Sequence, residues 1–109
     1  MDLNLKGKVV LITGAAGVRE SIGETILQAL AKEGAIPAIV DRNARGFGYA
    51  AELQKIGIDA SFFQTDVTEP DQIKAAVEGI VEKYGRIDAV INNVGVNDGV
   101  GLDASYEDF

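Results

Sequence analysis

Apolar residues along this chain follow two alternating rhythms. Short, nearly continuous apolar runs rich in β-branched side chains alternate with longer stretches where apolar residues recur every three or four positions. The first run is Lys8-Val9-Val10-Leu11-Ile12-Thr13. Unbroken apolarity over so few residues suits a strand buried on both faces, as in a parallel sheet. Gly14 ends it, and residues 14–23 read as a glycine-bearing loop. Ile22, Ile26, Leu27 and Leu30 then recur at helical spacing and predict a helix near Ile22 to Glu33, stopped by Gly34.

The alternation continues to residue 92. Ala35 to Asp41 is a second strand, with Pro37 near its start. Ala44 to Ile56 is a helix with Ala50, Leu53 and Ile56 on one side, although Gly46 and Gly48 weaken its first turn. Asp59 to Thr65 is a third strand. Pro70 opens a helix at the position where proline is tolerated, and Ile73, Val77, Ile80, Val81 and Tyr84 form its apolar face. Arg86 to Asn92 is a fourth strand, residues 95–101 are loop, and Ser105 could cap a further helix. The order β-α-β-α-β-α-β predicts an α/β fold with a parallel sheet between helices. Right-handed crossovers leave few topologies. The expected spatial order is 3-2-1-4, the first half of a doubly wound sheet, with a site beside strands 1 and 4. No repeat, linker or low-complexity tract divides the chain, so residues 1–109 are expected to be one domain.

Composition narrows the chemistry. The chain has no Cys and no His, which removes disulfides, zinc sites built from those ligands and any histidine base. A net charge of −7 argues against nucleic acid as a partner. The amino terminus lacks the apolar core of a signal peptide and no apolar run is long enough for a membrane span, so a cytoplasmic location is expected.

Strand, glycine loop and helix together form a geometry that binds a diphosphate. Glycine lets the backbone approach the phosphates, and the free N–H groups of the helix start point at them. The helix dipole adds about 0.3–1 kcal/mol for a nearby anion, and Arg19 could help reverse the acidic field locally. The plainer alternative is a tight turn with no ligand. Asp41, at the end of the second strand, could accept hydrogen bonds from the adenosine ribose hydroxyls of a dinucleotide. It would also repel the extra phosphate of NADP, by about 4 kcal/mol at 4 Å and an effective dielectric of 20. Arg42 and Arg19 pull the other way, but Arg42 is long and could stack on adenine instead. NAD is therefore expected over NADP. The alternative is an acid that merely ends a strand in solvent.

Thr13-Gly14-Ala15-Ala16-Gly17 followed by Ser21-Ile22-Gly23 resembles TGxxxGxG, the cofactor motif of the short-chain dehydrogenase/reductase family. Val18 stands where the family has its second glycine, and Val18-Arg19-Glu20 lengthen the loop. The resemblance extends in order through Asp41, Asp66-Val67 and Asn92-Asn93-Val94-Gly95, the last similar to the family's NNAG segment. It implies a Rossmann-like fold. Gly14, Gly17, Ser21, Ile22 and Gly23 would line the diphosphate, Asp41 would meet the adenosine ribose, and Arg42 would stack on the adenine. Asp66 and Val67 would hold the adenine, and Asn93, Val94 and Gly95 would line the adenosine side. Read alone, Asp66 could equally make an Asx turn ahead of Pro70, and the asparagine segment could be a turn. Residues 96–103 are similar to sugar dehydrogenases of the L-fucose and D-arabinose type.

The family's catalytic Ser and YxxxK pair have no match. Tyr49 is followed four places on by Leu53 and Tyr84 by Asp88, and Tyr106 lies too soon after the asparagine segment. No catalytic residue is therefore assigned. The chain is expected to be part of a longer, homo-oligomeric enzyme that moves hydride between NAD and a secondary alcohol or sugar. The alternatives are a stand-alone nucleotide-binding module, or a flavodoxin-like or receiver domain. A receiver would need clustered acids where Thr13-Gly14 stands.

Overall fold

The computed structural model describes residues 4–14 and 22–93. The elements within them are β1 (Val9–Thr13), α1 (Ile22–Lys32), β2 (Ile36–Asp41), α2 (Arg45–Lys55), β3 (Ser61–Gln64), α3 (Pro70–Tyr84) and β4 (Ala89–Asn92). The strands form one parallel sheet in the order β3-β2-β1-β4, as the alternation predicts. In register, Leu11 lies between Ala38 and Val90, and Ile12 between Ile39 and Ile91.

Period-two alternation sorts the strand residues onto two faces. Ile12 and Ile39 meet Leu27 and Ala31 of α1 and Tyr49, Ala50 and Leu53 of α2. Val9, Leu11, Ala38 and Val40 meet Ala76 and Ile80 of α3 on the opposite face. Both faces are therefore covered, which explains why β1 and β2 are continuous apolar runs. The crossover from β3 to β4 runs opposite to the first two, so the same right hand carries α3 to the other side.

Local chemistry sets the ends. Pro37 is fully buried in an inner strand. The Ile36 N–H donates to Lys8 O toward β1, at 2.8 Å. Pro37 therefore presents its missing donor toward β3, whose pairing begins only at Ser61 opposite Ala38. Pro70 is the first residue of α3, and Gly85 closes it at φ 78°, its N–H reaching Val81 O at 2.7 Å. At the amino-terminal end of the sheet, the Val9 N–H donates to Asp88 Oδ2 at 2.8 Å. Arg86 clasps Asp88 Oδ1 at 2.6 and 3.0 Å. This contact holds the Asp88 carboxyl below the ordinary carboxylate range, with the Val9 N–H adding to the effect.

Several expectations change on folding. Gly46 and Gly48 both lie inside α2. Gly46 is buried against the Phe62 ring, which occupies the space a Cβ would need, and that ring meets Phe47 edge-on at 4.6 Å. Packing thus overrides helix propensity at this turn. Ile56, expected on the buried side of α2, is the helix C-cap and is 69% exposed. On α3 only Ala76 and Ile80 are buried, whereas Ile73 and Val81 are exposed. The predicted face is wider than the surface the described sheet offers it. Val90 of β4, on the same side, is also exposed.

Candidate functional site

The candidate residues collect at the carboxyl-terminal ends of the strands, where loops leave a parallel sheet. Gly14 follows β1 at φ 73°, a conformation that favours glycine. Its N–H still donates to Val40 O at 3.0 Å, so the turn begins while β1 remains tied to β2. Thr13 Oγ1 donates to Asn92 Oδ1 at 2.9 Å and accepts the Asn93 N–H at 3.1 Å. Asn93 Nδ2 donates to Gly14 O at 3.3 Å. These bonds join the tips of β1 and β4 across most of the chain's length.

The tip of β2 is built by turn chemistry. Asp41 is half-buried, and its Oδ1 accepts the Asn43 N–H at 2.8 Å. Asn43 Oδ1 accepts the Arg45 N–H at 2.9 Å, so two Asx turns in succession lead into α2. Asp41 O accepts the Thr65 N–H at 2.8 Å, and Gln64 Nε2 donates to Arg42 O at 3.1 Å.

At the tip of β3 the Asx turn is present. Asp66 Oδ1 accepts the Thr68 hydroxyl at 2.6 Å and the Thr68 N–H at 2.9 Å. Those two bonds hold its carboxyl below the ordinary range, with a smaller contribution from Arg42. Arg42, Gln64, Thr65, Asp66 and Gln72 line one open hollow of about 390 Å³. Val67 turns inward instead, packing on the α3-side cluster. It borders an apolar cleft of about 410 Å³ whose lining includes Leu11, Val77 and Val90.

The structure thus places Gly14, Asp41, Arg42, Asp66, Val67 and Asn93 along one rim. It joins Gly14 to Asn93 directly, and Asp41 to the β3 tip through Thr65. Ile22 begins α1, and Gly23 is buried in that helix's first turn. Gly17, Ser21, Val94, Gly95 and residues 96–103 lie outside the described residues. Neither described tyrosine near the sheet reaches the rim: Tyr49 is buried in the α1–α2 core. The Tyr84 hydroxyl donates to Asp59 O at 2.6 Å, ahead of β3, and lies 2.8 Å from Ser61 Oγ. No metal-binding group of acids stands among the described residues, and no described helix is long and apolar enough to cross a membrane.

The sequence gives Thr13 no role beyond its place in the motif, and gives Gln64 and Gln72 none. Gln72 carried a usable signal: it stands three residues after Glu69 at a helix start, the spacing of a capping box.

The family model of short chain dehydrogenases matches residues 8–109. The chain belongs to the short-chain dehydrogenase family. It is 36% identical over 102 residues to 3β-hydroxysteroid dehydrogenase of Mediterraneibacter gnavus, covering 93% of this chain and 35% of that protein. Among solved structures, L-sorbose reductase from Gluconobacter frateurii, complexed with NADPH and L-sorbose, superposes with a TM-score of 0.82. It is 33% identical, over 98% of this chain and 41% of that one. The 3-ketoacyl-(acyl-carrier-protein) reductase from Brucella melitensis, complexed with NADH, superposes with a TM-score of 0.75. It is 38% identical, over 84% of this chain and 36% of that one. The chain therefore spans well under half the length of these short-chain dehydrogenases.

Proposed function

We propose that this short-chain dehydrogenase chain binds NAD(H) along the rim formed by Gly14, Asp41, Arg42, Asp66 and Asn93. It would serve as the cofactor-binding part of an oxidoreductase acting on a secondary alcohol, with a sugar as the preferred class. The donor and acceptor set fits such a group. Asp41 offers a carboxylate to vicinal hydroxyls, Asp66 offers one to an exocyclic amine, and Gly14 leaves the backbone open to a diphosphate. The bound nicotinamide would supply the hydride acceptor or donor. The chain's own part is to hold and orient the adenosine half.

The observation that carries this reading is the tip of β2. Asp41 is held in place by the Asn43 N–H, and its neighbour Arg42 lines one hollow with Asp66. A carboxylate at that point discriminates by charge, favouring a free ribose over one bearing a phosphate. Support for a sugar substrate comes from residues 96–103 and from the sugar reductase among the structural neighbours.

Fluorescence titration of the protein with NADH and NADPH tests the proposal. NADH should bind more tightly, and Asp41→Ala should narrow the difference. Binding of neither, or a preference for NADPH that Asp41→Ala leaves unchanged, would remove the reading.

A further inference from the structure

Resting on the reading of the rim as an adenosine site, we infer that Gln72 is a positioning residue for its adenine end, acting through Asp66. Asp66 is the second residue past β3 and has no ladder of its own to hold it. Four bonds do so instead, all from the start of α3 or the turn before it. The Gln72 side chain accepts the Asp66 N–H through Oε1 at 2.8 Å. Asp66 O accepts the Glu69 N–H at 3.0 Å, and the carboxylate is fixed by Thr68.

The Gln72 bond is the one that comes from within α3 itself. Gln72 is the third residue of α3, and its own N–H donates to Glu69 O at 3.0 Å. Its backbone is therefore anchored, and its side chain transmits the position of α3 to the Asp66 backbone. A residue at this place in a capping box would return its side chain to the N-cap N–H. Here it reaches three residues further back, to Asp66, which lines the hollow. Gln64 makes the matching contact on the other wall, donating to Arg42 O. Two side-chain amides thus brace the two walls of one hollow, at Arg42 and at Asp66.

The test is calorimetric titration of the protein with 5′-AMP, NADH and nicotinamide mononucleotide. Gln72→Leu removes the acceptor, while Gln72→Glu keeps it. Gln72→Leu should weaken 5′-AMP and NADH by the same factor, about three- to fivefold for the loss of one exposed hydrogen bond. It should leave nicotinamide mononucleotide unchanged, and Gln72→Glu should restore most of the loss. Should Gln72→Leu not fold, Gln72→Asn, one methylene too short, carries the same expectation. Equal 5′-AMP affinity in the parent and the loss variant, or equal weakening by Leu and Glu, overturns the positioning role while leaving the binding site in place. Absence of 5′-AMP and NADH binding in the parent overturns the adenosine site, and this inference with it.

Discussion

Thr13→Val tests the joint between β1 and β4. Valine keeps the shape and branching of threonine but offers neither the donor to Asn92 nor the acceptor for the Asn93 N–H. The Asn93 bond is part-buried, so its loss should cost about 1 kcal/mol. The Asn92 bond is exposed, where water replaces the partner, and should add at most about 0.5 kcal/mol. A total of about 1–1.5 kcal/mol corresponds to a fall in Tm of about 4–12 °C for a domain near this size. Thr13→Ser retains the hydroxyl and should lose less than half as much. The assay is thermal unfolding by circular dichroism, with NADH titration of the same samples. Because Asn93 also donates to Gly14 O, the valine variant should weaken NADH as well. If Thr13→Val melts with the parent, or Thr13→Ser is as unstable as Thr13→Val, the hydroxyl does not join the strands.

Other substitutions separate packing from propensity and charge from shape. Gly46→Ala and Gly48→Ala make the same chemical change in one helix, yet only Gly46 faces the Phe62 ring, whereas a Cβ at Gly48 meets nothing within 4 Å. Gly48→Ala should stabilise by about 0.5–1 kcal/mol, and Gly46→Ala should destabilise by about 1 kcal/mol once overcrowding outweighs the helix gain. Urea unfolding checks both, and stabilisation by Gly46→Ala would contradict the packing. Asp66 and Asp88 have lowered carboxyl pKa values in the folded protein, so the unfolded chain binds more protons in acid. Their stabilisation is complete above the ordinary carboxylate value of 3.8 and is lost as pH falls through the lower folded values. Asp88→Asn should flatten that loss in urea midpoints measured against pH, and an unchanged slope would count against the Arg86–Asp88 contact.

Much of the fold is legible in the sequence because strand burial is simple here. β1 and β2 are covered on both faces and read as unbroken apolar runs, and with the crossover rule they lead to the observed strand order. Side-chain exposure at the sheet's flank is less legible. Ile73 and Val81 have the spacing of buried residues, but periodicity does not report whether a partner stands opposite. Gly46 misled in the other sense, since a helix-weakening residue is favoured where an aromatic ring needs its space. At the site, strand-end positions of Asp41, Asp66 and Asn93 follow from the element pattern. The Thr13–Asn92 bond does not, because it joins residues 79 positions apart, and the Gln72–Asp66 bond does not, because capping-box spacing points Gln72 at Glu69 rather than at Asp66.

The placement of β1 in the interior of the sheet has a kinetic consequence. The Thr13–Asn92 contact links residues 79 positions apart, so a chain growing from its amino end can complete β1, α1 and β2 long before this seam can close. Closing so wide a loop is slow relative to local pairing. The seam runs through the surface between Gly14 and Asn93, making that surface one of the last to mature. A ligand that binds only the finished form would therefore draw late intermediates forward by mass action.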